Sequence, residues 1–229
     1  MANDYFQFRQ FTVCQDRCGM KVGTDGTLLG AWARGGKTIL DIGTGTGLIA
    51  LMMAQRFPSA DITAIDIDDA AVAQALGNVA RSPFRNIRVA EADVRTFRGR
   101  CFDAVVSNPP FFVDSLTSPD HRRTVARHAA SLTYRDLMEA ACQLLADDGE
   151  LSVVVPSETR TLMEQEAVMA GFFKVRQCAV KTTPRKPPRR YLLAFRRHPA
   201  PLELSEAVIE TSPGHRSPWY QQLTKDFYL

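Results

Sequence analysis

Along this chain, short apolar runs take turns with stretches of helical period. Residues 38–43, 61–66, 87–93 and 102–107 are rich in Ile, Val, Ala and Leu and end in Gly, Asp or Ser, the pattern of buried strands. Between them, residues 48–54 and 70–80 read as helices, the second capped and charge-matched at its start by Asp68 and Asp69. Strand, helix and strand in succession predict an α/β fold with a mostly parallel sheet. Leu137, Ala141, Leu144 and Leu145 set a helix over 133–146, stopped by Asp147-Asp148-Gly149. Residues 150–156 then read as a strand, and Ser157 as the cap of a helix reaching about residue 170, where Gly171 ends it. Residues 173–182 and 190–197 form two further strands, joined by the stiff proline-rich link 184–189 as a hairpin. At the start of the chain, residues 6–11 alternate apolar with polar, and 27–33 read as a helix ahead of the first sheet strand.

Chemistry gathers where these strands end. After the first comes Asp41-Ile42-Gly43-Thr44-Gly45-Thr46-Gly47, a D-x-G-x-G-x-G turn into a helix. Its glycines allow a tight turn and a close approach of backbone to ligand, beside a helix N-terminus with unpaired N–H groups. A dinucleotide fingerprint would need glycine at position 48, where Leu48 stands, so a nicotinamide dehydrogenase is disfavoured. The next strand ends on Asp66, about 20 residues past the glycines, where a carboxylate can accept from two ribose hydroxyls. The third ends on Asp93, an acceptor for an adenine amine. The fourth runs into Asn108-Pro109-Pro110-Phe111. An exocyclic amine on a conjugated ring becomes nucleophilic when acceptors draw its lone pair out of the ring. The Asn108 side-chain oxygen and the Pro109 carbonyl offer two acceptors, the prolines bring no competing N–H, and Phe111 offers a face for a base to stack on. This arrangement suits methyl transfer to a planar nitrogen.

The residues Asp41 to Gly47, Asp66, Asp93 and Asn108 to Phe111, in this order, resemble the successive motifs of class I S-adenosylmethionine-dependent methyltransferases. The resemblance implies a Rossmann-like α/β fold: a seven-stranded, mostly parallel sheet with one antiparallel strand, helices on both faces, and S-adenosylmethionine across the strand ends. It adds Thr44, Ile67 and Val94 to the cofactor contacts. The two ends of the chain extend the likeness to the bacterial tRNA adenine-N6 methyltransferases that act on the adenosine 3′ of the anticodon in a valine tRNA. In that family the segment Lys21-Val22-Gly23-Thr24-Asp25 packs over the cofactor, which makes Thr24 and Asp25 expected contacts to its methionine end. The expected organisation is one methyltransferase domain, with residues 1–36 packing over the cofactor site, 37–198 as the core and 199–229 as a C-terminal extension. Guanine-N2 rRNA methyltransferases, glutamine methyltransferases of release factors and a non-catalytic RNA-binding module are the competing readings. The first two commonly carry further domains or Tyr at the fourth motif position, and the third predicts a broken glycine turn or a lost Asn108.

Composition narrows the setting. The chain has 229 residues, 45% of them hydrophobic and 23% charged, ample for one core, with no signal-peptide pattern or membrane-length apolar run. A cytoplasmic monomer is expected. Five cysteines without a C-x-x-C pair point to reduced thiols, and His121, His128, His198 and His215 show no triad or metal spacing, so no metal is expected. Charge is uneven: residues 171–200 hold nine Lys or Arg and no acid, and 121–135 hold four Arg and two His with no acid. Arg122, Arg123 and Arg127, close after the N-P-P-F turn, and Arg185, Lys186, Arg189 and Arg190, in or beside the hairpin link, are the candidate phosphate contacts to tRNA.

Overall fold

A computed structural model of the chain describes residues 4–16, 21–110 and 132–229. The alternating start becomes a small antiparallel hairpin of β1 (Tyr5–Gln7) and β2 (Thr12–Cys14), followed by helix α1 (Thr24–Trp32). Then come β3 (Thr38–Ile42), α2 (Leu48–Arg56), β4 (Asp61–Asp66), α3 (Asp69–Arg81), β5 (Ile87–Glu91) and β6 (Phe102–Ser107). The remainder carries α4 (Tyr134–Leu144), β7 (Leu145–Pro156), α5 (Arg160–Met169), β8 (Phe173–Lys181), β9 (Pro188–Arg196), β10 (Glu203–Val208), the short pair β11 (Glu210–Ser212) and β12 (His215–Arg216), and α6 (Pro218–Thr224).

The central sheet has the order β10-β8-β9-β7-β6-β3-β4-β5, and only β9 runs against the others. The expected single antiparallel strand is therefore present, but the sheet has eight strands where seven were expected. The addition is β10, which pairs with β8 alone and leaves its first four residues exposed. Two boundaries also move. Helix α4 stops at Leu144 and β7 begins at Leu145, its register against β6 shifting between Phe102 and Ala104. Ser157 does not cap α5: its hydroxyl donates to the Pro188 carbonyl and ties the end of β7 to β9, while Thr159 holds the cap position without a capping bond, its hydroxyl lying 2.9 Å from that of Tyr134. Asp68 does cap α3, accepting from the Ala70 N–H at 3.0 Å.

The pleat assigns the two faces of the sheet. On β3, Ile39 packs with α1 and α2, while Leu40 and Ile42 pack with α4 and α5 on the opposite face. Helices α1 and α2 approach closely because α1 carries glycine one turn apart. A Cβ on Gly30 would lie 2.7 Å from the Met52 sulfur, and one on Gly26 would lie 3.1 Å from Leu48. That contact seats the first turn of α1 above the glycine-rich turn that precedes α2. Among the described residues, no helix is long and apolar enough to cross a membrane.

Candidate active site

Because β3 and β6 are adjacent and parallel, with Ile42 opposite Ser107, the loops that follow them leave the sheet side by side. The Ser107 hydroxyl donates to the Ile42 carbonyl at 2.9 Å and fixes the two strand ends to each other. Gly43 and Asn108 thus begin neighbouring loops at the carboxyl edge of the sheet. This is where open α/β sheets bind ligands.

The turn is held from below and from the side. Gly43, Gly45 and Gly47 all have positive φ (70°, 55° and 80°), the left-handed region that L side chains rarely adopt. The N–H groups of Gly43 and Thr44 donate to the Ile65 carbonyl at 2.9 and 3.0 Å, and the Gly45 N–H donates to Asp66 Oδ2 at 2.8 Å. Asp41, fully buried, accepts from the Thr44 hydroxyl at 2.7 Å and the Ala50 N–H at 3.1 Å, both on Oδ2. Its Oδ1 is buried without a partner among the described residues. Burial pushes the Asp41 carboxyl up to about 7, opposed by the bonds from Thr44 and Ala50, with the nearby Asp66 adding to the rise.

That shift has a measurable sign. The folded protein holds the Asp41 proton up to about pH 7, whereas the unfolded chain releases it near 3.8. This group's contribution to stability is thus fully present below about pH 4, falls as pH rises to about 7, and then levels off. Asn keeps one acceptor for both donors and carries no charge. Between pH 5 and pH 8, denaturant unfolding is expected to show wild type losing roughly 2–3 kcal/mol relative to Asp41→Asn. Parallel pH profiles for the two proteins would refute the buried-proton assignment.

A cavity of about 290 Å³ opens in front of this turn, lined by Gly43 to Thr46, Leu48, Ile49 and Asn108, and on the facing side by Lys21, Gly23 to Gly26 and Arg190. A Cβ at Gly43 would meet nothing within 4 Å, so the backbone is bare toward a ligand. The Asn108 side-chain oxygen is buried and accepts no hydrogen bond among the described residues. Asp25 stands opposite Arg190 at 2.5 Å, Oδ1 to Nε. Burial raises the Asp25 carboxyl, and the Arg190 charge partly offsets that rise.

The expected site residues divide by position. Thr24, Asp25, Gly43, Thr44, Gly45 and Asn108 line the cavity. Asp41 and Gly47 support it from behind, Gly47 packing on Ala75 of α3. Asp66 lies beside the cavity, its Oδ1 accepting from the Asp68 N–H at 3.1 Å, with Ile67 half exposed next to it. Asp93 is forked to the Arg95 guanidinium at 2.6–2.9 Å, which holds its carboxyl below the usual range, and Val94 is buried against the α4 and α5 layer. Pro109 is buried and Pro110 half-buried beyond Asn108. Arg185, Lys186 and Arg189 are exposed in and beside the hairpin link. Arg190, expected with them as a phosphate contact, points into the cavity wall. Phe111, Arg122, Arg123 and Arg127 lie outside the described residues. Lys21, Thr46, Leu48 and Ile49 were not singled out as contacts, although their neighbours in the same two motifs were.

The methyltransferase small domain model matches residues 27–183, more than half of the chain. The chain belongs to this methyltransferase family. Among its relatives, a protein of Bacteroides thetaiotaomicron named tRNA1(Val) (adenine(37)-N6)-methyltransferase is 46% identical, covering 100% of this chain and 99% of the relative. A protein of Phocaeicola vulgatus with the same name is 47% identical over the same shares. A crystal structure of a predicted O-methyltransferase from Agrobacterium tumefaciens superimposes with a TM-score of 0.69 at 20% identity, covering 89% of this chain and 96% of that one, a likeness of fold. The match begins inside α1 and ends just past β8, so it takes in the glycine-rich turn and Asn108 but not the facing wall of Lys21, Gly23 to Gly26 and Arg190.

Proposed function

We propose that this methyltransferase moves the methyl group of S-adenosylmethionine to N6 of an adenine in tRNA, the adenosine 3′ of the anticodon in a valine tRNA. The observation that carries the reading is Asn108, a residue lining the cavity whose buried side-chain oxygen accepts no hydrogen bond among the described residues. An oxygen so placed costs stability unless a ligand donor reaches it. The names of the two relatives support adenine N6 as that donor.

S-adenosylmethionine fits the remaining features, and when bound it supplies an electrophilic methyl on a sulfonium whose departure leaves a neutral thioether. Gly43 offers bare backbone, Asp66 has acceptor lone pairs for ribose hydroxyls, and the exposed face of Ile67 offers apolar contact to adenine. Asp93 is held by Arg95, so an adenine amine shares that carboxylate with the guanidinium. Lys21 and Arg190 supply positive charge for the methionine carboxylate. Asn108 Oδ1 and the Pro109 carbonyl accept from the two N6 protons and draw the lone pair out of the ring. Methylated N6 is cationic and sheds a proton readily, so positioning supplies most of the acceleration and the reaction needs no metal. The site of action is the cytoplasm.

The test is methylation of an unmodified valine tRNA transcript, followed by nucleoside analysis. N6-methyladenosine at the position 3′ of the anticodon is expected, and a methyl group found on guanine or on a release-factor protein instead would overturn the reading. Charge reversal at Arg185, Lys186 and Arg189 together is expected to raise KM for the transcript at least tenfold and to leave S-adenosylmethionine affinity unchanged. An unaltered KM at physiological salt would remove that loop from the RNA path.

A further inference from the structure

Nothing in the proposed reaction uses a second cavity among the described residues, a space of about 640 Å³ where the two ends of the chain meet over α1. Its walls come from the β1–β2 hairpin, the first turn of α1, and α6 with the residues that follow. Arg9 donates to the Tyr228 carbonyl, and its N–H donates to the Phe227 carbonyl at 2.8 Å. The Tyr228 ring stacks on Phe8 at 5.8 Å and meets the edge of Phe6 at 5.9 Å, while its hydroxyl lies 3.0 Å from that of Tyr220. These contacts make a built recess from segments more than 200 residues apart.

Its charged side chains are all cationic. Arg9, Arg216 and Lys225 line it, and no Asp or Glu does. Among the described residues Arg9 and Lys225 have no carboxylate partner, and Arg216, laid over the Tyr220 ring at 4.7 Å, reaches Glu210 only at 4.0 Å. Phe6, Tyr220 and Tyr228 add aromatic faces. Cations without acids around aromatic rings match a nucleotide, with phosphate on the one and base on the other. The recess shares Gly23 and Thr24 with the smaller cavity, so the two spaces adjoin across that segment.

Resting on the proposed tRNA reading, we infer that this recess binds a second nucleotide of the same RNA, its phosphate between Arg216 and Lys225 and its base against Tyr228, and thereby anchors the strand whose adenosine enters beside Asn108. The smaller cavity alone holds too little positive charge for this: Lys21 and Arg190 face it, and Asp25 opposes Arg190.

The experiment measures binding of an unmodified valine tRNA transcript across a salt series, for wild type, Lys225→Glu and Arg216→Glu/Lys225→Glu, alongside calorimetry of S-adenosylmethionine. Lys225 is exposed and its replacement leaves the fold untouched, which keeps the test open if the double variant does not fold. Lys225→Glu is expected to weaken tRNA binding several-fold and the double variant at least tenfold. The slope of log K against log salt should fall by about one and about two units respectively, with cofactor affinity unchanged. Unchanged tRNA affinity and slope in Lys225→Glu, with wild type binding and methylating the transcript, would overturn the recess alone. A matching loss of cofactor affinity would make the recess part of the cofactor site and overturn the inference too. A wild type that neither binds nor methylates the transcript would overturn the underlying reading and this inference with it.

Discussion

Asn108→Ala is expected to lower the single-turnover rate of adenine methylation by a factor on the order of 10² to 10³, the scale set by removing one preorganised polar partner of a transition state. The loss falls on the chemical step because N6 gains its nucleophilic lone pair only as its protons are drawn out of the ring plane. Binding of S-adenosylmethionine should change little. Stability of the free protein should hold or rise slightly, since the Asn108 oxygen is buried with no partner among the described residues and its removal ends an unmet desolvation cost. This combination separates a catalytic acceptor from a structural asparagine. A folded Asn108→Ala protein that turns over at nearly the wild-type rate would take Asn108 out of the reaction.

The second large effect is expected at Asp66. Its carboxylate accepts from the Gly45 N–H at 2.8 Å, pinning the glycine-rich turn to the end of β4, and in the proposed complex it also accepts from the ribose hydroxyls. Asp66→Ala removes a charged acceptor from both roles. A charged hydrogen bond contributes roughly 1.5–3 kcal/mol, so cofactor Kd should rise by about 10- to 100-fold. Asp66→Asn keeps one acceptor and should fall between wild type and alanine. Because Asp66 is only half-buried and lies at a strand end, the fold should persist. Calorimetry of folded Asp66→Ala with wild-type affinity would remove Asp66 from the cofactor site.

Much of the central site is legible in the sequence because its parts are local. Three left-handed glycines between a strand and a helix, a carboxylate at the end of the next strand, and Asn-Pro-Pro at the end of another are each defined within a few residues. Parallel strands then bring such ends together, since every strand finishes on the same edge. The fate of individual carboxylates is less legible. Asp93 reads as an open acceptor, yet Arg95, two residues on, folds back and grips it. Ser157 reads as a helix cap, yet Pro188 captures its hydroxyl across the sheet. In both, one of several acceptable partners prevails, and a linear pattern does not rank them.

By itself the sequence determined the alternating α/β order, the glycine turn, the strand-end residues Asp41, Asp66 and Asn108, and the one reversed strand beyond the hairpin link. These follow from hydrophobic period and turn chemistry, which act over short distances along the chain. Only the tertiary structure decided the rest. The eighth strand, Glu203–Val208, is an edge strand whose first four residues face solvent, so burial imposes no apolar alternation on it and its pairing with β8 supplies the order. Arg190 sits in a run of cations that reads as one surface, and the pleat of β9 turns that one side chain inward to Asp25 while Arg189 stays exposed. The recess around Arg216 and Lys225 exists because Tyr228 stacks on Phe8 from the other end of the chain. No spacing rule encodes such a contact, because it is fixed by how the whole sheet and its helices bring the two ends together.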